Sequence, residues 1–313
     1  MGSPTIAVAL PATRGRSTTW ATGSAGMAMV FIQLGAALSI PLIGVLGPAG
    51  TTWVRTTWAA LFLLILIRPK PWKMSRRHLR HAGVLGFVVG VQAVAFFFAI
   101  SRLPMGTASA IEFLGPLGVA VVHGRGRQSM AWPLLAVVGV LALTRPWEGS
   151  VDLAGIAAAA LAAACWAAYI VMTQKVGDEL PGLTGLALYM PVAALVAGVI
   201  GMPQAIPHLT TTVLLQCAAL AVITPLLPYA MEMIALRGLN ASSFGVLMAL
   251  EPALAALMGL AILGQALDVA SVIGIAMVVA AGIGAQRGGA RVIEAGPNQP
   301  LTEARVVAGN ATN

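Results

Sequence analysis

The sequence has very few charged residues for its length. Only 9% of its 313 residues are Asp, Glu, Lys or Arg, against roughly 25% in a soluble domain, and 58% are hydrophobic. This shortage excludes a water-soluble fold with an ordinary charged surface. The apolar segments are continuous, whereas the strands of a membrane β-barrel alternate apolar and polar residues. The composition therefore predicts an all-α polytopic membrane protein.

Cysteine is also scarce. Cys165 and Cys217 both lie in apolar segments, without other ligand residues at metal-binding spacing. We expect no disulfide, no metal site and no cofactor. The sequence also lacks a Walker A pattern and a nucleophile elbow, which argues against ATP-driven transport and against an intramembrane enzyme. No catalytic residues are therefore predicted.

Long apolar runs, by contrast, fill most of the chain. A bilayer core about 30 Å thick requires about 20 apolar residues per helix. Pro, Gly and charge clusters divide the chain into ten segments of about that length. The predicted spans lie near 23–43, 50–67, 81–101, 105–123, 130–145, 153–173, 182–202, 211–233, 241–263 and 268–285. Residues 1–22 and 286–313 form polar tails, and the second tail is predicted to be disordered.

The positions of Lys and Arg predict the orientation of the spans. Of the 18 basic residues, Arg102 and Arg145 fall on one side of the membrane, Arg55 falls within a span, and the others fall on the opposite side. Basic residues accumulate on the cytoplasmic side of membrane proteins. Both termini are therefore predicted to be cytoplasmic, in a multi-pass protein of the plasma membrane. The same asymmetry explains the formal charge of +8 without a nucleic-acid partner.

A weak internal duplication divides the chain into two halves. Aligning Leu103 with Leu239 also aligns Pro116 with Pro252. The offset corresponds to five spans, an odd number, so the halves would cross the membrane in opposite directions. Inverted repeats of this kind occur in many secondary transporters, with the substrate site near the midplane where broken helices meet. The predicted repeats are residues 23–145 and 153–285, with five helices each.

Two acids lie in the most apolar parts of the chain. Glu112 falls in the fourth predicted span and Glu251 in the ninth. A charge in the hydrocarbon layer costs at least about 2.5 kcal/mol on insertion scales, so it needs a partner, water or a proton. Removal from water favours the neutral form of a carboxyl group, which makes either residue a candidate proton carrier. The alternative is an acid that only hydrogen-bonds a neighbouring helix.

A proline follows each of these acids, and a cation lies in another span. Pro116 and Pro252 would break the helix and expose backbone carbonyls to a cavity, or simply kink it. Arg55, in the second span, is a permanent cation. It could pair with one of the acids, bind a substrate carboxylate, or reach the outer membrane surface by snorkelling.

The remaining candidates carry weaker signals. Glu232 lies near the cytoplasmic end of the eighth span, where a gate contact or an interfacial position is as reasonable as substrate binding. Four uncharged groups lie inside spans, where helix packing is the simpler explanation. These cavity-lining candidates are Gln33, Gln92, Trp166 and Tyr169.

Several stretches together resemble a known family. The segment from Leu227, "LPYAMEMIALRGLNASSFGVLMALEPALAALMGLAILGQAL", resembles the amino-acid exporter branch of the EamA group, in the drug/metabolite transporter superfamily. The stretches "IEFLGPLGVAVV" from Ile111 and "AACWAAYIV" from Ala163 support the resemblance, which covers roughly residues 23–285. Two features depart from the family pattern: Gln265 stands where an acid is common, and "LNASSFG" lacks the usual proline.

The resemblance implies a fold and a function. It implies two inverted five-helix repeats around a central cavity, and export of small amino acids such as threonine or homoserine from a bacterial cytoplasm in exchange for protons. Glu112, Glu251 and Arg55 fall at matching positions and would line that cavity. Two alternatives remain open: an exporter of this family for another metabolite or drug, and a channel or non-transporting membrane scaffold. The expected partners are the substrate, protons and the lipid bilayer, and the sequence leaves open whether the protein forms homo-oligomers.

Overall fold

The described part of the chain is almost entirely helical. The computed structural model describes residues 14–123, 131–145, 152–176, 182–228, 231 and 247–288, and it contains no β-strand in those ranges. The helices are α1 (Arg14–Leu46), α2 (Pro48–Ile67), α3 (Arg76–Ile100), α4 (Met105–Glu112), α5 (Leu114–His123), α6 (Ala131–Thr144), α7 (Leu153–Val176), α8 (Gly182–Ala205), α9 (Thr211–Ala221), α10 (Glu251–Leu263) and α11 (Val269–Gly288). The prediction of an all-α fold is confirmed.

Five helices are long and apolar enough to cross a membrane by length and composition. They are Trp20–Leu46, Pro48–Ile67, Arg76–Ile100, Leu153–Met172 and Thr184–His208. Shorter apolar helices are Ala131–Thr144, Thr211–Leu226, Glu251–Leu263 and Val269–Ala285. The chain is therefore a multi-pass membrane protein. Its first helix begins at Arg14, earlier than the predicted span at 23–43.

The fourth predicted span is two helices rather than one. Helix α4 ends at Glu112 and α5 begins at Leu114, with Phe113 between them. Pro116 has no N–H to donate to the carbonyl of Glu112 one turn earlier, which interrupts the ladder of backbone hydrogen bonds at this point. The break therefore places the Glu112 carboxyl at the end of a helix, inside the bundle.

The eighth and ninth predicted spans are interrupted as well. After α9, Val222–Leu226 is π-helical, and Thr224 departs from helical geometry with φ −148° and ψ 117° because the residue before Pro225 avoids the α region. Helix α10 begins at Glu251 with Pro252 in its first turn, where an N–H is not needed. All three interruptions coincide with a proline.

Glycine allows the closest contacts between helices. A Cβ at Gly90 of α3 would lie 2.8 Å from the carbonyl oxygen of Ala193 in α8. A Cβ at Gly139 of α6 would lie 2.7 Å from the carbonyl oxygen of Gly274 in α11. Small residues are the usual means of close helix approach in membrane proteins, where lipid is as apolar as the side chains. Both contacts join a helix before residue 145 to one after residue 152.

An apolar cluster in the bundle brings five helices together. It includes Ala36 of α1, Phe97 of α3, Ile111 of α4, Ala159 of α7 and Ala255 of α10. We refer to it as the central cluster. It contains Ile111, which precedes Glu112, and Ala255, which lies one turn after Glu251.

Candidate functional site

Glu251 and Gln33 form a buried pair between α10 and α1. The Nε2 of Gln33 donates a hydrogen bond to Oε1 of Glu251 over 3.1 Å. Gln33 is 1% exposed and Glu251 is 6% exposed. Burial of a polar group is unfavourable unless it is hydrogen-bonded, so the amide donor helps to hold the carboxylate inside the bundle.

Glu112 has a matching amide partner. The Nε2 of Gln92, on α3, donates to Oε1 of Glu112 over 3.1 Å. Glu112 is 7% exposed at the end of α4. Glu112 and Glu251 are therefore each hydrogen-bonded by a glutamine from another helix. The sequence had indicated Gln33 and Gln92 only as cavity-lining candidates, because it does not show which residues meet across helices.

Arg55 lies on α2 and is only 8% exposed. Its Cζ lies 4.3 Å from the centroid of the Phe97 ring, a distance at which a cation is attracted to the face of an aromatic ring. Within the described ranges it forms no ion pair with Glu112, Glu251 or any other acid. The alternative in which Arg55 snorkels to the membrane surface is wrong, because the side chain is buried.

The three charged residues lie on different helices, and each is linked to the central cluster by a ring contact or by its place along the chain. Phe97, beneath Arg55, belongs to that cluster. Glu112 follows Ile111 of the cluster, and Ala255 of the cluster lies one turn after Glu251. The arrangement combines one cation with two acids in an apolar setting, which can accept a ligand that carries both an anionic and a cationic group.

The aromatic candidates are held in packing contacts. Trp166 lies edge-on to Phe113, at the break between α4 and α5, with 6.4 Å between ring centroids. Tyr169 packs against the apolar cluster that includes Leu63 and Leu186. Glu232 lies outside the described residues, and its role at a gate stays a prediction.

A groove of about 480 Å³ opens between α5 and α7. Gly115, Gly118, Ala163 and Ala167 are among its lining residues, and the lining is apolar. None of the charged candidates lines it. Its lining therefore has no charged side chain to orient a zwitterion.

An ion pair that the sequence did not indicate connects the end of α3 to the start of α7. The Nη1 of Arg102 lies 2.9 Å from Oδ2 of Asp152. Asp152 also accepts a hydrogen bond from the N–H of Gly155 in the first turn of α7. The hydrogen bond from Gly155 and the one from Arg102 hold the pKa of Asp152 below its ordinary value. An Asp directly before an apolar run is a helix-start signal that could have indicated this residue.

A second ion pair connects the end of α6 to the start of α11. Arg145 pairs with Oδ2 of Asp268, and the N–H of Ser271 donates to Oδ1 of the same carboxylate. Hydrogen bonds from the side chain and backbone of Ser271, followed by that from Arg145, lower the pKa of Asp268 to about 2. Asp268 is therefore ionised at neutral pH, and the pair persists across the physiological range.

Two glutamines accept hydrogen bonds from the first turns of other helices. The Oε1 of Gln265 accepts a hydrogen bond from the N–H of Met105 over 3.0 Å, at the first residue of α4. The Oε1 of Gln204 accepts one from the N–H of Gly50 over 3.2 Å, in the first turn of α2. Gln265, which departs from the family pattern, thus accepts a hydrogen bond at a helix N-terminus. The N–H groups there have no acceptor within their own helix.

Comparison with known proteins gives consistent results. Residues 153–284 match the EamA-like transporter family. The threonine/homoserine exporter RhtA of Escherichia coli (strain K12) is 35% identical over 269 residues, which cover 82% of this chain and 88% of that protein. The threonine/homoserine exporter RhtA of Salmonella typhimurium (strain LT2) is 36% identical over 263 residues, with the same coverage.

A solved crystal structure shares the overall fold. The match has a TM-score of 0.56 at 17% sequence identity, and covers 89% of this chain and 100% of the other. At this identity the similarity concerns the fold alone. The relatives with higher identity carry the functional comparison.

Proposed function

Because this chain belongs to the EamA-like transporter family and is a small-metabolite exporter, we propose that it exports small amino acids of the threonine and homoserine type in exchange for protons. The similarity to threonine/homoserine exporters supports this substrate class. Within the structure, the observation that carries the proposal is Arg55, a buried cation without an acidic partner in the described ranges, located at the same cluster as two buried acids.

The chemistry of an amino acid fits these residues. At neutral pH the substrate carries a carboxylate and an ammonium group. A guanidinium can donate two parallel hydrogen bonds to a carboxylate, so Arg55 would bind that end. Glu251 or Glu112 would bind the ammonium end. A solute that brings both charges neutralises the site as it binds, which reduces the cost of charge within the membrane.

Proton exchange follows if one acid binds either a proton or the ammonium group. The acid would be protonated from the outside, and would release that proton to the cytoplasm when substrate binds. The two ligands compete for one carboxylate, so the site would return to the cytoplasmic side with a proton after it has carried substrate out. This competition couples the two movements without a further cofactor.

We also propose that the chain consists of ten spans in two inverted halves, 23–145 and 153–285, with both termini in the cytoplasm of a bacterium. Contacts between helices at equivalent positions of the two halves support this arrangement: α2 packs on α8, α4 on α10, and α6 on α11. The excess of basic residues on one side supports the orientation. In this orientation the Arg102 and Arg145 ion pairs join the two halves at the outer face, and they would open as the halves rock outward.

Counterflow in proteoliposomes tests the proposed substrate. Vesicles preloaded with unlabelled threonine should accumulate radiolabelled threonine, and external homoserine should compete for this uptake. Empty vesicles, and vesicles with the Arg55→Gln variant, serve as controls. Absence of exchange in folded wild-type protein would contradict the substrate assignment. Exchange of a drug or another metabolite in its place would favour the alternative family function.

A further inference from the structure

The Gln33 side chain is only half satisfied in its buried position. Its Nε2 donates to Glu251, but its Oε1 has no hydrogen-bond partner among the described residues, and the side chain is 1% exposed. A buried carbonyl oxygen without a donor is unfavourable, because it has lost water without replacement. The Gln33 oxygen is therefore available to accept a hydrogen bond from a ligand.

Thr51 presents a second buried polar atom without a partner, this time near the cation. Thr51 lies one turn before Arg55 on α2 and is fully buried, and its Oγ1 has no hydrogen-bond partner in the described part of the chain. The hydroxyls of neighbouring threonines behave differently. Thr52 donates to the carbonyl of Pro48, and Thr57 donates to the carbonyl of Trp53. The Thr51 hydroxyl is thus not used to satisfy its own helix.

The two atoms differ in a way that matches the two ends of a zwitterion. The atom beside the acid is a carbonyl oxygen, which can only accept a hydrogen bond, and an ammonium group can only donate. The atom on the helix of the cation is a hydroxyl, which can donate to a carboxylate oxygen. An apolar solute would satisfy neither atom, whereas a zwitterion offers each of them a charged partner.

We propose that Gln33 Oε1 binds the substrate ammonium beside Glu251, and that the Thr51 hydroxyl donates to the substrate carboxylate beside Arg55. This inference rests on the proposed function and extends it. Gln33 and Thr51 are then specificity-determining residues, which require a free ammonium at one end and a free carboxylate at the other. Substrate binding would supply the partners that both atoms lack among the described residues.

Competition in threonine counterflow tests the two ends separately. The competitors are unlabelled threonine, its analogue with a hydroxyl in place of the ammonium group, and its analogue with a carboxamide in place of the carboxylate. Wild-type protein should prefer threonine over each analogue by about tenfold or more, because each analogue replaces a charge-assisted hydrogen bond with a neutral one. Gln33→Met should reduce the preference for threonine over the hydroxyl analogue, and leave the preference over the carboxamide analogue unchanged. Thr51→Val should reduce the preference for threonine over the carboxamide analogue, and leave the preference over the hydroxyl analogue unchanged.

Matched variants control for general damage. Ser39→Ala removes a buried hydroxyl on α1 that is already bonded to the carbonyl of Gly35. Thr52→Val does the same on α2. Both should keep the two preferences at the wild-type ratio. Gln33→Asn retains a carbonyl at a shorter reach and should give an intermediate ratio. If Gln33→Met is too slow to assay, the dependence of its melting temperature on each competitor gives the same comparison.

The outcomes separate this inference from the proposed function. Unchanged preferences in Gln33→Met and Thr51→Val, with threonine exchange intact, would overturn the inference and leave the function standing. Equal loss of both preferences in either variant would also overturn it, because that result indicates a general packing defect. Absence of threonine exchange in wild-type protein would overturn the proposed function, and this inference with it.

Discussion

The guanidinium of Arg55 lies over the ring of Phe97, with 4.3 Å between Cζ and the ring centroid. The attraction to the ring holds the cation in place without neutralising it. A carboxylate partner would occupy the donor groups of Arg55 and compete with an incoming anion. Among the described residues, the ring therefore holds the buried cation without an acid that would occupy its N–H donors.

Arg55 variants should show whether that cation binds the carboxylate. Arg55→Gln should abolish threonine counterflow because it removes the charge. Arg55→Lys keeps the charge but loses the bidentate geometry, and its apparent threonine affinity should fall about tenfold. Counterflow at several threonine concentrations, normalised to the amount of folded protein, measures both effects. Wild-type exchange by Arg55→Gln would contradict the role of Arg55.

Replacement of a buried acid by its amide should affect the coupling of threonine export to proton movement. Glu251→Gln and Glu112→Gln preserve size and hydrogen bonding but cannot release a proton. We expect at least one of them to lose export driven by a pH gradient while it still reaches the membrane. The measurement is gradient-driven threonine movement in vesicles with equal amounts of each variant. Normal gradient-driven export by both variants would show that neither acid carries the proton.

The sequence predicts the helices well and the site only in part. Apolar runs bounded by Pro, Gly and charge reveal the helices, because length and hydropathy are local properties. Glu112, Glu251 and Arg55 stand out because charge is rare in such runs. The partners Gln33, Gln92 and Phe97 could not be assigned, since each contact joins residues on different helices and depends on how the helices pack. The break at Phe113 was indicated by Pro116, but its exact position depends on the surrounding contacts.

The Arg102 and Asp152 ion pair should contribute to stability as a coupled unit. Arg102→Ala and Asp152→Asn each remove the pair, while Asn retains an oxygen for the first turn of α7. The melting temperature of the double variant should be no lower than that of the less stable single variant. The coupling should weaken in high salt, since both side chains are partly exposed. Additive losses in the double variant would show that the two residues act independently.

Asp268 should make stability depend on pH only in strongly acidic conditions. Its pKa is about 2 in the folded protein against an ordinary value of 3.8, so its stabilising effect is fully present above 3.8. The effect is lost as the pH falls from 3.8 through about 2. The difference in melting temperature between wild type and Asp268→Asn should therefore be constant from about pH 8 to pH 5 and decrease below pH 4. A difference that changes between pH 5 and pH 8 would contradict this assignment.

Gly90 should be far less tolerant of a methyl group than Gly83 on the same helix. A Cβ at Gly90 would lie 2.8 Å from the carbonyl oxygen of Ala193, whereas a Cβ at Gly83 would meet nothing within 4 Å. Gly90→Ala should destabilise the protein by about 1–3 kcal/mol through overpacking between α3 and α8. Gly83→Ala serves as the control and should not lower the melting temperature. Equal stability of the two variants would show that α3 and α8 are not held at this spacing.

The central claim is that one buried site exchanges an amino acid for a proton. The most direct measurement is radiolabelled threonine counterflow in proteoliposomes, with and without an imposed pH gradient. We expect exchange without a gradient, and net threonine movement opposite to the proton flow when the gradient is applied. Exchange that is indifferent to the gradient would contradict proton coupling, and no exchange by folded protein would contradict the amino-acid assignment.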